Sequence, residues 1–376
     1  MTGADNGPGS ELGFAVVGCG MIGGHHAQVI TQGAGMRLAA VVDVERERAE
    51  GLADRVADEH GAPRPSVSTS LAEVLERPDV DAVAVCVPSG LHAEIAVAAL
   101  EAGKHTVIEK PIDVAMEAAG RIAAAAAAAG VVTSVVSQHR FDPSSQVVRR
   151  AIDAGRLGRL TSGVASLSWW RGQGYYDSGD WRGTWALDGG GALMNQGVHT
   201  LDLLLWFLGT PVDVHAHTAL LAHERVEVED TVAATIRFES GALATLHATT
   251  AAFPGVSARL QVHGTRGSAV IDNDELAYFH AATGGAVDDY GSPGTGNQAA
   301  EELAGELAGE PGGGALDGGL DLVSAQSRQY ADVLAAIAEG REPLVGVREA
   351  TLALATVRAV YESAAAGSTV RVADVR

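Results

Sequence analysis

A lysine and a histidine, each inside a short motif, are the residues best suited to chemistry in this sequence. The lysine belongs to HTVIEKP, in which Glu109, Lys110 and Pro111 follow an apolar run typical of a buried strand. The proline favours an extended conformation at Lys110. An ammonium group held at the mouth of a strand can donate to a substrate hydroxyl and stabilise the alkoxide that develops during oxidation. On spacing alone, a surface lysine in a turn is the simpler interpretation.

The histidine lies in GGGALMNQGVHTLDLLL, where three glycines precede a predicted helix from about residue 191 to residue 208. Asn195, His199 and Asp202 recur at steps of four and three, which places them on one helical face. Histidine accepts a hydroxyl proton near neutral pH, so His199 is the candidate general base. A structural histidine satisfies the same spacing. Catalysis is favoured because the lysine motif and a nucleotide-binding motif occur in the same chain.

The nucleotide-binding motif is the segment FAVVGCGMIGGHH, with its glycines in GxGxxG spacing between a strand and a helix that begins near Ile22. Gly18 permits a tight turn, Gly20 lets the backbone approach a pyrophosphate, and Gly23 lets the helix pack closely on the strand. The first N–H groups of the helix attract phosphate. We therefore predict a dinucleotide site at Gly18, Gly20, Met21, Ile22 and Gly23.

An aspartate at the end of the second strand indicates which dinucleotide is bound. Asp43, 25 positions after Gly18, stands near where an acid accepts hydrogen bonds from the adenosine ribose, which favours NAD. An ordinary acid at a strand end is the structural alternative. Arg46 nearby leaves binding of NADP open.

Alternating strands and helices position the glycine and lysine motifs. The strands FAVVG, LAAVVDV, AVAVCVP, HTVIEK and VVTSVVSQ are separated by segments rich in helix-forming residues. This pattern predicts an α/β fold with an N-terminal Rossmann domain, a doubly wound parallel sheet over residues 12–140. The preceding residues 1–11 are expected to be disordered.

Past Phe141 the strands become longer and alternate in polarity, with few helices between them. This period of two predicts a C-terminal α+β domain, residues 141–344, built on a large, open and mainly antiparallel sheet. Residues 281–320 are rich in glycine and acids and are expected to form a mobile or disordered loop, with a lid as the alternative. The tail, about 345–376, is expected to pack back on the first domain.

The motifs GxGxxG, EKP and GGGxxxNxxxHxxD, in this order, resemble the Gfo/Idh/MocA family of glucose-fructose oxidoreductase, inositol dehydrogenase and relatives. The resemblance spans roughly residues 12–372, apart from the glycine-rich loop. It implies that Lys110 contacts substrate and nicotinamide and that His199 is the general base. Many members carry aspartate where this chain has Asn195. Because an amide does not take up a proton as a carboxylate does, Asn195 is expected to orient the substrate or the imidazole.

Further positions around the cofactor follow from the same resemblance. The implied cofactor contacts, besides the glycine motif and Asp43, are Pro88, Ser89, His92, Glu109, Lys110, Gln138, Trp181 and Arg182. His139, in SQHRF, is implied to line the substrate site. Packing of loops is the structural alternative for each of these residues.

An aromatic segment suggests the kind of substrate. Residues 169–185 hold four of the five tryptophans and two of the six tyrosines, together with Arg171 and Arg182. Aromatic faces and guanidinium groups suit sugar rings and their carboxylate or phosphate groups. The segment looks similar to that of bacterial dehydrogenases that oxidise the 3-hydroxyl of nucleotide-linked amino-sugar uronic acids. The expected substrate contacts are Lys110, His139, Arg171, Tyr176, Asn195 and His199, and a loop packed over the cofactor is the alternative.

Composition excludes several partners. The 26 basic and 47 acidic residues give a formal charge of −21, which disfavours nucleic acid and anionic membranes. Cys19 and Cys86, both in strand-like runs, indicate no disulfide framework, and no apolar run approaches the roughly 20 residues of a membrane span. We therefore expect a cytoplasmic protein with no membrane partner and no metal ion. The exposed face of the second sheet favours a homodimer or homotetramer.

These observations predict an NAD-dependent sugar or polyol dehydrogenase that transfers hydride between nicotinamide C4 and a secondary hydroxyl or keto carbon. The substrate is expected to be a sugar, sugar acid, nucleotide-sugar or inositol. One alternative is a redox-neutral glycoside hydrolase of the same architecture that uses NAD transiently. A second alternative is a noncatalytic NAD-binding protein, for which Lys110 and His199 would be unnecessary.

Overall fold

Two separate β-sheets organise the chain in the computed structural model, which describes residues 11–283, 296–307 and 322–375. The chain divides into two units: Met1–Gln138 with Asp321–Thr351, and His139–Leu320 with Leu352–Arg376. Apart from Glu11, the N-terminus that we predicted to be disordered lies outside the described residues. So do residues 284–295 and 308–321, which make up most of the predicted glycine-rich loop.

Short runs of valine, alanine and isoleucine form the strands of the first unit, and most of these residues are buried. In chain order the elements are β1 (Leu12–Val17), α1 (Met21–Gln32), β2 (Met36–Val42), α2 (Arg46–His60), β3 (Ser66–Ser68), α3 (Leu71–Leu75), β4 (Ala82–Val85), α4 (His92–Glu101), β5 (His105–Ile108), α5 (Met116–Ala129) and β6 (Thr133–Val135). The strands pair in parallel in the order β3-β2-β1-β4-β5-β6. This order confirms the predicted Rossmann sheet.

The remaining elements follow the change of pattern after Phe141. They are α6 (Pro143–Asp153), β7 (Leu160–Ser168), α7 (Gln173–Tyr176), a π-helical turn (Ala192–Gly197), α8 (Val198–Leu208), β8 (Pro211–Ala219), β9 (Thr231–Phe238), β10 (Leu243–Thr249), β11 (Ser257–Gly264), β12 (Gly267–Asp272), β13 (Glu275–Ala281), α9 (Ala299–Leu307), α10 (Leu322–Glu339), α11 (Val347–Ala366) and β14 (Val370–Arg371). All except α10 and the start of α11 belong to the second unit.

The second unit is built on an eight-stranded sheet in the order β13-β12-β11-β7-β10-β9-β8-β14. Every neighbouring pair is antiparallel except β7 and β10, which are parallel. The predicted α+β domain with an open, mainly antiparallel sheet is therefore confirmed.

The alternation of apolar and polar residues determines which face of this sheet is covered. On β9, Val232, Ala234 and Ile236 are buried, whereas the residues between them are exposed. Helix α8 packs on the buried face, against β7 and β11. Gly163 of β7 makes the close approach possible, because a Cβ there would lie 2.8 Å from a methyl group of Leu204. The sequence of α8 thus places one face of the helix against the sheet.

Part of the predicted loop at residues 281–320 is helical. Helix α9 packs against β13, and its first residue, Ala299, is 4% exposed. The prediction relied on the overall glycine content and overlooked the helix-forming segment AAEELAGEL. Within the described residues, this correction applies to residues 296–307.

The C-terminal segment divides between the two units differently from our expectation. Residues 321–351 belong to the first unit, where Gln329 of α10 accepts a hydrogen bond from the Ser137 N–H and donates to the Val135 carbonyl. Residues 352–376 belong to the second unit, because β14 completes the sheet beside β8. The exposed edge of β8 recruits this short strand, which a hydrophobic pattern does not reveal.

Among the described residues, no helix combines the length and the apolar character that crossing a bilayer requires.

Candidate active site

The turn between β1 and α1 has the geometry that a dinucleotide-binding glycine motif requires. Gly18 adopts φ +96°, and a Cβ there would lie 2.5 Å from the carbonyl oxygen of Cys86. At Gly23 a Cβ would lie 1.9 Å from the carbonyl oxygen of Gly18. Both positions need glycine because the protein's own backbone fills the space beside them.

Gly20 differs from these two glycines because the protein leaves open space beside it. A Cβ at Gly20 would meet no other atom within 4 Å. Helix α1 begins at Met21, which is 71% exposed, and its first turn carries no acidic residue. The helix start therefore presents its first N–H groups to an exposed surface. This arrangement fits the approach of a pyrophosphate to the backbone.

Asp43, at the end of β2, is connected to the same turn. One carboxylate oxygen accepts a hydrogen bond from the Cys19 N–H at 2.8 Å, and the other accepts one from the Glu45 N–H at 2.9 Å. Arg46 lies 3.6 Å from a carboxylate oxygen of Glu50. A carboxylate at this position accepts hydrogen bonds from ribose hydroxyls and repels a 2′-phosphate, so the residues present fit NAD.

The EKP motif lies directly after β5, at the carboxyl edge of the parallel sheet, where such folds bind ligands. The peptide bond between Lys110 and Pro111 is cis. Glu109 is 7% exposed, and its Oε2 accepts a hydrogen bond from the backbone N–H of Lys110 at 3.0 Å. Burial alone would raise the pKa of Glu109, but a hydrogen bond from His26 and the positive charges of His26 and Lys110 hold it below its usual range.

His92, a predicted cofactor contact, connects two loops, and both nitrogens of its ring face carbonyl oxygens of the protein. The ring is buried, with Nδ1 2.8 Å from the Pro111 carbonyl oxygen and Nε2 2.9 Å from the Val87 carbonyl oxygen. Burial lowers the pKa of His92. The ring therefore joins the loop after β4 to the EKP turn, and in that loop Pro88 and Ser89 remain candidates for cofactor contacts.

Gln138, at the end of the first unit, carries a buried acceptor that the protein does not satisfy. The side chain is 4% exposed, and its Oε1 has no hydrogen-bond partner among the described residues. Leaving such an atom unpaired is costly unless another group completes it. This observation fits the predicted cofactor contact.

In the second unit, His199 lines a cavity of about 100 Å³ beside the buried face of the sheet. Its ring packs edge-on against the ring of His139, with a centroid separation of 5.1 Å. Imidazole, indole, amide and carboxylate groups are suited to hydroxylated rings. The polar and aromatic members of the wall are His139, Trp169, Gln196, His199, Thr200, Asn273 and Asp274.

His139 is held between two carboxylates. Its Nδ1 lies 2.9 Å from Asp142 Oδ2 and 3.1 Å from Asp274 Oδ1. Burial by itself disfavours the charged ring, but hydrogen bonds to Asp142 and Asp274 and their negative charges raise the pKa of His139 to about 10. The Nδ1 atom and the two carboxylate oxygens lie within 4.8 Å of one another, which is close enough to hold a metal ion. A proton on Nδ1 instead forms the hydrogen bonds to both carboxylates. The cluster thus places an imidazolium in the wall of the cavity.

A π-helical turn precedes α8 and changes the predicted helical face. Because this turn holds more residues than an α-helical turn, Asn195 and His199 do not follow the simple step of four that we assumed. The Asn195 amide nitrogen donates to Asp188 Oδ1 at 2.8 Å, and the other oxygen of Asp188 accepts from the Gly183 N–H. The loop at Gly183 therefore orients the amide of Asn195.

The glycine triplet before this turn is held by Glu229. One carboxylate oxygen accepts from the Gly191 N–H at 2.8 Å, and the other accepts from the Leu193 N–H at 3.0 Å and the Tyr361 hydroxyl at 3.1 Å. A Cβ at Gly190 would lie 2.1 Å from the Tyr361 hydroxyl, and one at Gly191 would lie 1.7 Å from the Glu229 carbonyl oxygen. Two of the three glycines are therefore required, because Glu229 and Tyr361 occupy the space beside them. The hydrogen bonds of Glu229 position the start of the helix that carries His199.

Asp202, which we grouped with His199, is structural. It is 5% exposed and forms two hydrogen bonds of 2.7 Å with the guanidinium group of Arg140. The Arg140 guanidinium lies 5.4 Å from the centroid of the Trp206 ring. This pairing connects α8 to Arg140 inside the second unit, and loss of either partner would leave the other charge buried and uncompensated.

The aromatic segment converges on a tyrosine that sequence reasoning passed over. Two guanidinium groups lie near the Tyr175 ring, that of Arg182 4.3 Å and that of Arg171 5.4 Å from its centroid. Arg182 also lies 4.4 Å from the Trp181 ring. The Tyr175 hydroxyl accepts a hydrogen bond from Gln196, which lines the cavity of His199. Two cations and a hydroxyl are thus connected to that cavity.

Tyr176 lies in the protein interior, contrary to our prediction that it contacts substrate. It is 6% exposed, its hydroxyl is 2.8 Å from the Thr250 hydroxyl, and its ring packs against His223 at a centroid distance of 4.7 Å. Adjacent tyrosines at the end of a short helix face different ways, which the sequence alone did not resolve.

Several residues of the site carried weak signals in the sequence. Gln196 lies three positions before His199, and Tyr175 is inside the aromatic segment. Asn273 and Asp274 form a tight turn with positive φ between β12 and β13, a conformation for which Asn and Asp are suited. Glu229 lies 30 residues after the histidine, and no local pattern connects the two.

A Rossmann unit with a glycine cradle, followed by a sheet unit with a histidine in a polar cavity, defines a two-domain NAD-dependent oxidoreductase. The chain belongs to the Gfo/Idh/MocA family. Residues 12–137 match the family's oxidoreductase domain with an NAD-binding Rossmann fold, and residues 145–270 match the GFO/IDH/MocA C-terminal domain.

Individual relatives include sugar and cyclitol dehydrogenases. Inositol 2-dehydrogenase 2 from Saccharopolyspora erythraea is 31% identical, over 68% of this chain and 72% of its own length. The NAD⁺-dependent scyllo-inositol 2-dehydrogenase from Bacillus subtilis is 29% identical, over 69% and 74%. The WlbA dehydrogenase from Bordetella pertussis, solved with NADH and UDP-GlcNAcA, is 29% identical with a TM-score of 0.83, covering 97% of this chain and 99% of that one.

Gly20 separates cofactor binding from folding. Because a Cβ there meets no protein atom, Gly20→Ala should leave the melting temperature unchanged. The methyl group would occupy the space predicted for the pyrophosphate, so affinity for NAD should fall about tenfold or more. Titration with NADH, followed by quenching of protein fluorescence, measures this change. The control is Gly120→Ala on α5, whose Cβ would also meet no atom within 4 Å, and unchanged affinity in Gly20→Ala would contradict the assignment.

Glu229 makes folding depend on pH. Burial raises its pKa to about 7, so the folded state holds the proton more tightly than the unfolded state between about pH 4 and pH 7. Stability should therefore fall by up to about 3 kcal/mol as pH rises through that range. Glu229→Gln should lose this dependence in thermal unfolding scans from about pH 4.5 to pH 6.5, below the range in which the raised pKa of His139 adds a slope of its own. The exposed Glu224→Gln is the control for charge, and a wild-type slope retained in Glu229→Gln would refute the prediction.

Proposed function

We propose that this protein interconverts a secondary hydroxyl and a ketone on the ring of a sugar, sugar acid, nucleotide-sugar or inositol, with NAD. The observation that carries the proposal is the cavity of His199, whose walls combine imidazole, indole, amide and carboxylate groups. A hydroxylated ring requires several donors and acceptors together with an apolar face. The sugar and inositol dehydrogenases among its relatives support the same class of substrate.

Two side chains handle the proton of the reacting hydroxyl. His199 accepts it as general base, and Lys110 donates a hydrogen bond that stabilises the oxygen as negative charge develops. When bound, NAD supplies the redox chemistry. Asn195, oriented by Asp188, hydrogen-bonds the substrate and takes no proton itself.

The cofactor is held mainly by the first unit in this proposal. Gly18, Gly20, Met21, Ile22 and Gly23 bind the pyrophosphate, and Asp43 accepts hydrogen bonds from the adenosine ribose. The open space at Gly20 and the unsatisfied Gln138 side chain support these roles. The further proposed contacts are Pro88, Ser89, Trp181 and Arg182.

An anionic substrate suits the second unit best. The charge of His139 is offset by Asp142 and Asp274, so the cations that favour an anion are Arg171 and Arg182, which lie near the Tyr175 ring. Such groups recognise the carboxylate of a uronic acid or the diphosphate of a nucleotide-sugar. Nucleotide-linked uronic acids are therefore the first candidates, which the similarity to a dehydrogenase solved with UDP-GlcNAcA supports.

A panel of free hexoses, inositols, uronic acids and nucleotide-sugars, followed by NADH absorbance, tests the activity. We expect turnover within the panel and the highest kcat/KM for an anionic member. Release of a chromogenic aglycone without net NADH would instead identify a redox-neutral hydrolase. Absence of both signals across the panel would contradict the proposed function.

Removal of either proposed catalytic side chain should spare cofactor binding and impair turnover. We expect Lys110→Met and His199→Ala each to lower kcat by about 10²–10⁴-fold, the usual contribution of acid–base catalysis. Their affinity for NADH should change much less. Lys104→Met and His280→Ala, outside the proposed site, are the matched controls. Full turnover by His199→Ala would contradict the role of His199 as the general base.

We propose that the outer face of the second sheet pairs with a second copy of this chain in the cytoplasm. The free thiols Cys19 and Cys86 support a reducing compartment. The outer face carries small or polar side chains such as Ala233, Thr235 and Thr245, and short side chains allow one sheet to pack closely on another. Its apolar character is lower than we expected from the sequence, with Leu243 as a large exposed residue.

The oligomer depends on that face in this proposal. Thr235→Arg places a long charged side chain at an exposed position of β9 and should shift the protein toward monomer in sedimentation velocity. Glu101→Arg, at the exposed end of α4 in the first unit, should leave the assembly unchanged. A monomeric wild type, or an unchanged Thr235→Arg assembly, would contradict the pairing.

A further inference from the structure

A histidine and a tyrosine that the proposed chemistry does not use are buried behind the EKP turn. His26 lies on α1 and is fully buried, and Tyr330 lies on α10 and is 1% exposed. The His26 Nδ1 is 2.7 Å from the Tyr330 hydroxyl, and its Nε2 is 2.8 Å from Oε1 of Glu109. Both ring nitrogens are therefore engaged by side chains from other elements of the first unit.

The hydrogen bonds continue to the lysine. Glu109 accepts from His26 through Oε1 and from the Lys110 N–H through Oε2, at 3.0 Å. A chain of contacts therefore runs from the Tyr330 hydroxyl through the imidazole and the carboxylate to the main chain of Lys110. Gln326, one turn before Tyr330, places its amide nitrogen 3.5 Å from Glu109 Oε1. The carboxylate is thus approached from two helices.

Packing fixes the position of Tyr330, at the far end of this series of hydrogen bonds. The Tyr330 ring lies 5.6 Å from the Phe14 ring and 5.7 Å from the His26 ring, measured between centroids. Helix α10 is held at β6 by Gln329, which bonds to Val135 and Ser137. The phenol therefore has a defined position from which to orient the imidazole.

We propose that His26 and Tyr330 are positioning residues for Lys110, acting through Glu109. The inference rests on the proposed function of Lys110. A buried ionic pair is a poor source of stability, because apolar residues of similar volume often stabilise a core as well or better. Its position behind a lysine that must be held accurately for catalysis supplies the reason for it, since small misplacements of catalytic groups cost large factors in rate.

The first arm of the test measures turnover of three variants on the best substrate of the panel. Tyr330→Phe should lower kcat about fivefold and His26→Leu about fiftyfold, with KM for NAD within about twofold of wild type. His26→Gln should retain more activity than His26→Leu, because its amide can still donate to Glu109. Thr106→Val is the control: it removes a fully buried hydroxyl from β5 that bonds to the Lys104 carbonyl, at the other end of the strand.

The second arm of the test measures the surroundings of Lys110 and does not depend on enzyme activity. The chain has two lysines, Lys104 and Lys110, at opposite ends of β5, and the Lys104 ammonium bonds to the Arg77 and Val80 carbonyls. Reductive methylation with ¹³C-formaldehyde therefore gives two lysine signals and one from the terminal amine. In Tyr330→Phe and His26→Leu, the Lys110 signal should move while the Lys104 signal stays. Thr106→Val should leave the Lys110 signal in place.

The two arms separate the possible failures. An unmoved Lys110 signal, or kcat per NADH-binding site equal to wild type with only a lower melting temperature, would overturn the positioning role. An equal response in Thr106→Val would also overturn it. If the wild type turns over no member of the panel, the proposed function fails and the lysine signals alone decide the inference. If His26→Leu does not fold, Tyr330→Phe decides it.

Discussion

Carboxylates that accept hydrogen bonds from loop amides, most of them buried, hold the functional parts of this protein in place. Glycine-rich loops expose many backbone N–H groups, and each of these needs an acceptor when it is buried. A carboxylate serves two or more at once. Asp43 serves the cofactor turn, Glu109 the EKP turn, and Glu229 the glycine triplet before His199. Asp230 serves three consecutive amides, those of Leu221, Ala222 and His223.

This use of an acid requires glycine in the loop before His199. Where an acidic residue approaches the backbone this closely, a side chain on the loop would collide with it, as a Cβ at Gly191 would with the Glu229 backbone. Taking a carboxylate out of water is costly, and several hydrogen bonds offset that cost. The outcome is a set of loops whose backbone amides are held by fixed acceptors. Some of the protein's acidic residues, such as Glu109, Glu229 and Asp230, are therefore buried and hold loops in place, whereas others lie on the surface.

The fold and the cofactor cradle were predictable because their signals are local. The three glycines, the strands around them and Asp43 lie within about thirty residues, and each has a role that backbone geometry dictates. The period-two pattern likewise identified the second sheet. The site in the second unit was predictable only in part. His199 does line a polar cavity, but Asp202 pairs with Arg140 and Tyr176 faces Thr250. In the first unit, His92 bridges two carbonyl groups.

The sequence by itself determined the two-sheet fold, the glycine turn for a dinucleotide and the two motifs around Lys110 and His199, because short-range spacing specifies each of them. Only the tertiary structure decided which polar side chains serve the protein and which remain for a ligand. Tyr330 reaches His26 across 304 positions, and Tyr361 reaches Glu229 across 132. Such partners become neighbours only when the chain packs, since burial requires each polar group to be satisfied by whatever the fold brings near it.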